Sequence, residues 1–179
     1  MAYVDCASIT LAGITMDCST SIGGIKRVWL ARYSDVSSVS TTDGEISTIS
    51  LKSGAKWYEY QFRKNTGSLT STLNVDEENG NNYVTSELSL VFSKMETAKR
   101  IEMAALAVGA VVAVVEDANG KAWYLGYDNY VSASTGTGET GTTKEDRNAY
   151  TITLSCDSAE WPFELTATAF EAVKTSAAS

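Results

Sequence analysis

The stretch AKWYEYQFRKNTGSLTSTLNVDEENGNNYVTSELSLVF, residues 55–92, decides the fold class of this chain. Apolar and polar residues alternate in three runs within it, at residues 58–63, 69–75 and 84–92. An alternation with a period of two predicts a strand that has one buried and one polar face. The breaks between the runs are short and rich in Gly and Asn, which predicts antiparallel hairpins. The sequence therefore predicts a mainly β fold.

Outside this stretch, the chain divides into an arm, one domain and a tail. Residues 1–24 are predicted to form an N-terminal arm, residues 25–170 a single β domain, and residues 171–179 a flexible tail. The valine-rich run near residue 112 predicts a strand that is buried on both faces. A final strand is expected at residues 163–170, after the only proline. Residues 128–148 are rich in Ser, Thr and Gly and predict a long loop, which in a compact domain is either disordered or functional.

One helix is predicted, at residues 93–108. Ser93 and Glu96 have the spacing of a capping box, in which the side chain of each residue accepts a hydrogen bond from the backbone N–H group of the other residue. Gly109 follows at the position where helices commonly end. The apolar residues at helical spacing, which we expect to pack against the sheet, are Ala98, Ile101, Ala105 and Val108.

Composition excludes several classes of function. The chain has 179 residues, a net charge of −8 and no histidine, so histidine-dependent catalysis and histidine-ligated metal sites are excluded. The acidic charge disfavours a conventional nucleic-acid-binding module, because phosphates repel it. The three cysteines are widely spaced, which indicates reduced thiols in a cytoplasm. No apolar run approaches the ~20 residues of a membrane helix, so no membrane partner is expected.

Motifs that could carry chemistry are each incomplete. Ser53 and Lys56 match a Ser-x-x-Lys pattern, but the Ser-Asp-Asn and Lys-Thr-Gly elements that complete such sites are missing. The glycine-rich residues 136–141 lack the Gly-Lys-Ser/Thr ending of a phosphate loop. Glu59 and Glu87 could form a carboxylate pair, yet nothing indicates the burial that would tune an acid. We therefore expect no catalytic residue, no metal, no cofactor and no enzymatic activity.

The order of the elements resembles the tail-tube fold of tailed bacteriophages, in which a β-sandwich or small barrel of antiparallel strands is flanked by one α-helix. Short segments also resemble virion proteins of phages infecting Bacteroidetes, including crAss-like phages. These segments are residues 56–65, 73–76, 83–85, 99–103 and 123–126.

The resemblance implies a structural protein that forms a homo-oligomeric ring, six-fold or twelve-fold, in the tail tube or the head–tail neck. Its partners would be copies of itself and other phage tail or neck proteins, with DNA as a weakly interacting cargo. It would reside in the virion after assembly in the cytoplasm of the bacterial host. The candidates for lining the channel are Glu59, Thr70, Thr72, Thr85 and Glu87. The candidates for a loop that reaches a neighbouring subunit are Ser132, Gly136, Gly138, Gly141 and Thr143.

A second hypothesis of another class stays open. The same β-sandwich could be a monomeric module that binds a receptor or a glycan, with the Ser/Thr/Gly-rich loop as its contact. The oligomeric state in solution separates the two hypotheses, since rings support the first and a stable monomer that binds a host glycan supports the second.

Overall fold

The computed structural model describes residues 11–178, and these residues form a mainly β protein. A 3-10 turn, Tyr33–Asp35, follows the first strand. The strands are β1 (Ile25–Arg32), β2 (Val36–Thr42), β3 (Glu45–Leu51), β4 (Trp57–Tyr60), β5 (Ser68–Asp76), β6 (Asn81–Ser93), β7 (Val111–Asp117), β8 (Ala122–Leu125), β9 (Ser132–Glu139), β10 (Ala149–Ser158), β11 (Phe163–Glu164) and β12 (Ala177–Ala178). The helices are α1 (Thr97–Val108) and α2 (Ala167–Ser176).

Two sheets share the main core. One has the strand order β11-β8-β7-β1-β4-β12 and the other has the order β5-β6-β10-β9. Val28 and Val115 of the first sheet pack in one apolar cluster with Leu88, Leu90 and Leu154 of the second. All five side chains are almost fully buried. The mainly β sandwich of antiparallel strands that the sequence predicts is therefore confirmed.

The six-stranded sheet is buried on its second face as well. Trp29, Val112 and Val114 point away from the four-stranded sheet and pack against α2 and the hairpin of β2 and β3. The rings of Trp29 and Phe170 meet edge to face, with centroids 5.3 Å apart. This confirms the prediction that the valine-rich strand is buried on both faces.

The expected strand at residues 163–170 and the expected flexible tail after it are both wrong for the described residues. Strand β11 ends at Glu164, and α2 occupies Ala167–Ser176, so the fold has a second helix. The reason is that Ala169, Phe170 and Val173 have helical spacing and bury one face against the six-stranded sheet.

The first helix begins later than the sequence predicts, and the predicted capping box is absent. Ser93 is the last residue of β6, where it pairs with Ala149, and Lys94 has a φ of +68°. Glu96 takes the N-cap position, and no side chain caps this helix. Pairing with β10 therefore extends β6 as far as Ser93, the residue at which the sequence predicted the helix to begin.

The apolar stripe of α1 does not pack against the sheet. Ile101 is 56% exposed and Val108 is 89% exposed, and Ala98 and Ala105 are exposed too. The helix instead buries Leu106. The prediction of core packing for the stripe is wrong, and α1 presents an apolar surface to solvent.

The long loop expected at residues 128–148 contains a strand, so the prediction is wrong for residues 132–139. Strand β9 (Ser132–Glu139) pairs antiparallel with β10, and residues 140–148 form the connecting turn. A strand at the edge of a sheet needs few apolar residues, so the hydrophobic pattern does not reveal it.

Candidate assembly surface

The outer face of the four-stranded sheet carries mainly hydroxyl groups. The inner face is fixed by buried residues of β6 and β10, so the intervening residues point outward. Directly opposite residues of antiparallel strands share a face, which the register identifies. We call the Ser, Thr and acidic residues at the centre of this outer face the hydroxyl face, and they are Ser68, Thr70, Thr72, Thr85, Glu87, Ser89, Ser132, Thr135, Thr137, Thr151, Thr153, Ser155 and Asp157. The register places Asn74, Asp76, Tyr83, Val91 and Glu139 around them on the same side of the sheet.

The structure brings together four of the five residues predicted to line a channel. Thr70 lies opposite Glu87, and Thr72 lies opposite Thr85 in the pairing of β5 with β6. Glu59 lies apart from them, in β4 of the six-stranded sheet. Its Oε1 atom is 3.0 Å from Arg27 Nη1, although the two groups are not aligned for a hydrogen bond.

The hydroxyl face is polar and weakly acidic. Its charged residues are Glu87 and Asp157, and its set contains no Lys or Arg. The Thr85 hydroxyl donates a hydrogen bond of 2.7 Å to Asp157 Oδ1 and accepts one of 3.0 Å from Asn74 Nδ2. Such a face offers phosphate no cationic partner, which is the contact that drives nucleic-acid binding.

The residues that reasoning from the sequence missed lie on β9 and β10. Thr151, Thr153 and Ser155 alternate with the buried residues Ile152 and Leu154. This alternation is visible in the sequence. That these residues lie on the same face as those of β5 and β6 follows only from the strand order. Two of the three strands predicted to share the face, β5 and β6, do share it, and pairing of β10 with β6 and of β9 with β10 extends it to four strands.

The residues predicted for an inter-subunit loop divide between an edge strand and a turn. Ser132, Gly136 and Gly138 belong to β9, whereas Gly141 and Thr143 lie in the turn at residues 140–148. Asp146 organises the turn, because its Oδ2 atom accepts hydrogen bonds of 2.7 Å from the N–H groups of Thr142 and Thr143. These bonds lower the pKa of Asp146 below its ordinary value.

The four-stranded sheet has an open edge on each side. Strands β5 and β9 are its outermost strands in the part of the chain that the structure describes. Every neighbouring pair is antiparallel, so β5 and β9 run in opposite directions. Open edges present unpaired N–H and C=O groups and favour pairing with another chain.

The two edges differ in shape. Beside β9, a groove of about 480 Å³ lies between this strand and α1; small residues, including Ala104, Ala107 and Gly136, line it, and we call it the edge groove. On the inner side of β5, the apolar side chains of Leu73 and Val75 are 49% and 57% exposed. One edge thus offers apolar projections and the other an unfilled groove.

A second groove, of about 440 Å³, contains Trp123 and Trp161, and it is the place where a glycan could stack. The polar side chains of Asp117 and Asn119 in this groove are engaged in hydrogen bonds within the chain. Asp117 Oδ1 accepts hydrogen bonds of 2.8 and 2.9 Å from the N–H groups of Asn119 and Lys121, and Asp117 Oδ2 accepts one of 3.2 Å from Trp123 Nε1. The Asn119 side chain bonds to the backbone of Ile22.

Among residues 11–178, no group of three or more acidic or cysteine side chains has the arrangement of a metal site. None of the helices described is long and apolar enough to cross a membrane. Cys18 is exposed, whereas Cys156 is buried, and burial raises the pKa of the Cys156 thiol to about 11. Cys6 lies outside the described residues.

Comparison with protein-family models, with curated proteins and with solved structures found no match to this chain.

Proposed function

We propose that this chain is a non-enzymatic structural subunit of a phage virion, which closes into a homo-oligomeric ring of the tail tube or the head–tail neck. The observation that carries the proposal is the four-stranded antiparallel sheet, which has two open edges and a hydroxyl face. The segments that resemble phage virion proteins support it, and so does the resemblance to the tail-tube fold. On this proposal the ring resides in the virion, is assembled in the cytoplasm of the bacterial host and contacts other tail or neck proteins.

Strand direction supports closure of the ring. Since β5 and β9 run in opposite directions, β9 of one copy can pair with β5 of the next and keep every strand antiparallel. Repetition of this contact generates a closed barrel, in which no copy retains an open edge of this sheet. The predicted role of residues 132–139 in reaching a neighbour then becomes strand pairing rather than a loop contact.

The shapes of the two edges support the same contact. Leu73 and Val75 of one copy would enter the edge groove of the next and cover their exposed apolar surface. Gly136 matters here because it has no side chain to fill that groove. Burial of the two side chains would contribute about 1–3 kcal/mol to each contact.

The packing of the two faces of the sheet determines which residues would line the channel. The inner face packs against the six-stranded sheet, so the hydroxyl face is the one left to line a channel. Thr70, Thr72, Thr85 and Glu87 would lie in this lining, and Glu59 would not. Without Lys or Arg on the face, DNA would pass with weak binding, because phosphate contacts that release counterions are missing.

Substitution at the edge of β5 tests ring closure. We expect Leu73→Lys to abolish rings, because an inward-pointing lysine disfavours edge pairing and cannot enter the edge groove. The matched control is Thr72→Lys, which adds the same charge on the same strand but points to the opposite face. Negative-stain electron microscopy and sedimentation velocity would measure the fraction of chains in rings.

A second variant tests the groove itself. Gly136→Leu places a side chain in the edge groove, where the nearest atom to the added Cβ is 3.8 Å away, so the fold should tolerate it. We expect at least a tenfold loss of rings at equal protein concentration. A wild-type chain that stays monomeric, or rings that survive both Leu73→Lys and Gly136→Leu, would overturn the proposal.

A further inference from the structure

The first described segment of the chain exposes apolar side chains that its own domain does not cover. Residues 11–22 belong to the predicted N-terminal arm and contain no helix or strand. From here on, the term arm refers to residues 11–22 alone. Leu11, Ile14 and Met16 are between 88% and 102% exposed. The arm is fixed at its end, where the Ile22 N–H group donates a hydrogen bond of 2.8 Å to Asn119 Oδ1. Exposed side chains of this size indicate a surface that is buried in another state of the protein.

A matching apolar groove lies on the side of α1 that faces β1 and β4. It has a volume of about 710 Å³, and we call it the helix groove. Its lining includes Leu30, Tyr33, Tyr58, Leu106 and Val108, and it contains no residue of the arm. Tyr58 is 53% exposed and Val108 is 89% exposed, so residues 11–178 leave the groove uncovered.

The arm and the helix groove lie at opposite ends of the same strand. The arm joins β1 at Ile25, whereas the groove is built around residues 30–34, at the other end of β1. A strand of eight residues is about 26 Å long. An arm of twelve residues spans up to about 40 Å when extended, so it can reach well beyond its own point of attachment.

This placement allows a contact between copies. A segment at one end of a molecule that fits a groove at the other end makes a head-to-tail contact, which repeats from copy to copy. The helix groove is lined by one basic residue, Arg32, and one acidic residue, Glu102, whose carboxylate accepts a hydrogen bond from the Tyr60 hydroxyl. Within the arm, Ile14 and Met16 are two residues apart and would point to the same side of an extended segment.

We propose that the arm of one copy docks into the helix groove of the next copy, with Leu11, Ile14 and Met16 as its apolar anchors. This inference rests on the proposed function, because it needs an assembly of identical chains. It adds a second contact, made by different residues from the pairing of β5 with β9. It also gives the exposed stripe of α1 a role, since Val108 lies in the groove.

Disulfide trapping between copies tests the proposal. Both proteins carry Cys6→Ser and Cys18→Ser, so that these two native cysteines cannot react. One protein also carries Met16→Cys, and the other carries Val108→Cys. The mixture is oxidised mildly, and a non-reducing gel measures the yield of covalent dimer. Leu11→Cys and Ile14→Cys are tested in parallel, because the register of the arm in the groove decides which position reacts. Tyr127→Cys replaces Val108→Cys as the control, since Tyr127 is 39% exposed and lies outside the helix groove.

We expect at least ten times more covalent dimer with Val108→Cys than with Tyr127→Cys for one or more arm positions. Equal yields at all three positions would overturn the inference. A chain that carries both cysteines should give intermolecular products, and an exclusively intrachain link would show that the arm occupies its own groove, which also overturns it.

The two proposals fail in different ways. Rings that form without arm-to-groove dimers overturn this inference and leave the proposed function standing. Arm-to-groove dimers of the cysteine variants, together with a wild-type chain that forms no closed rings, overturn the proposed function and leave the head-to-tail contact. The triple variant Leu11→Ser, Ile14→Ser, Met16→Ser should fold normally, because these side chains are exposed, and should abolish the head-to-tail contact.

Discussion

A hydrogen bond between single side chains helps to attach α1 to the sheet. The Tyr60 hydroxyl of β4 donates to Glu102 Oε1 of α1. Burial and the neighbouring Glu102 carboxylate both raise the pKa of Tyr60, so the phenol stays protonated and able to donate. Since Leu106 is the only buried residue of α1, this bond matters more than it would on a well-packed helix.

We expect Tyr60→Phe to lower the free energy of unfolding by about 1–2 kcal/mol, because a hydrogen bond to a charged group is lost and the ring is kept. Urea denaturation followed by circular dichroism would measure the change. Tyr58→Phe is the matched control, since Tyr58 lies two residues away on β4 and is 53% exposed. Equal midpoints for the two variants would show that the bond does not hold α1.

The shared face of Thr70, Thr72, Thr85 and Glu87 could be predicted at the level of residues, because a period of two places alternate residues on the same side. The position of Glu59 could not. Its strand, β4, pairs with β1 and not with β5, and such pairing depends on contacts between distant segments. Three alternating runs in a row therefore do not establish one sheet.

Capping distinguishes the two helices. Thr166 caps α2, where its hydroxyl accepts a hydrogen bond of 3.3 Å from the Ala169 N–H group. Ser93, which has the sequence signature of a cap, belongs to β6. We expect Thr166→Ala to lower the free energy of unfolding by about 1 kcal/mol, whereas Ser93→Ala should change it by less than about 0.5 kcal/mol.

Thermal and urea unfolding of both variants would check this prediction. Ser93→Ala serves as the control, because it removes a hydroxyl of similar size at a position where no helix begins. A larger loss of stability for Ser93→Ala than for Thr166→Ala would contradict the assignment of the caps.

At the level of elements, strands whose apolar residues alternate were predictable, including β5 at a sheet edge, whereas β9, which has almost no apolar residues, was not. The valine run of β7 and the alternation of β6 follow from burial, and both are strands in the structure. Strand β9 exposes most of its residues and owes its conformation to pairing with β10. The stripe of α1 had the spacing of a buried helix face, but spacing does not reveal which surface, if any, covers it.

At the level of the whole molecule, assembly would account for several features that a single chain leaves unpartnered. The open edges of β5 and β9, the edge groove, the helix groove and the apolar arm all lack a partner within the described residues. The proposed ring pairs the first three with one another, and the proposed head-to-tail contact pairs the last two. In the proposed ring, the acidic net charge would disfavour retention of DNA, because phosphates are repelled by it.

Addition of positive charge to the proposed channel lining tests this last point. We expect wild-type rings not to retain DNA, and rings of Thr70→Lys, Thr72→Lys, Thr85→Lys to retain it, because lysines on the hydroxyl face would release counterions from phosphate. Co-sedimentation of rings with linear duplex DNA, at about 50 and 200 mM salt, would measure the retained fraction. Retention by the variant should fall at the higher salt, since counterion release is the driving force. The matched control places the same three charges on the hairpin of β2 and β3, as Ser38→Lys, Ser40→Lys, Thr42→Lys, where the residues are exposed and outside the four-stranded sheet. If both triple variants retain DNA equally, net charge alone explains the binding and the hydroxyl face does not line the channel.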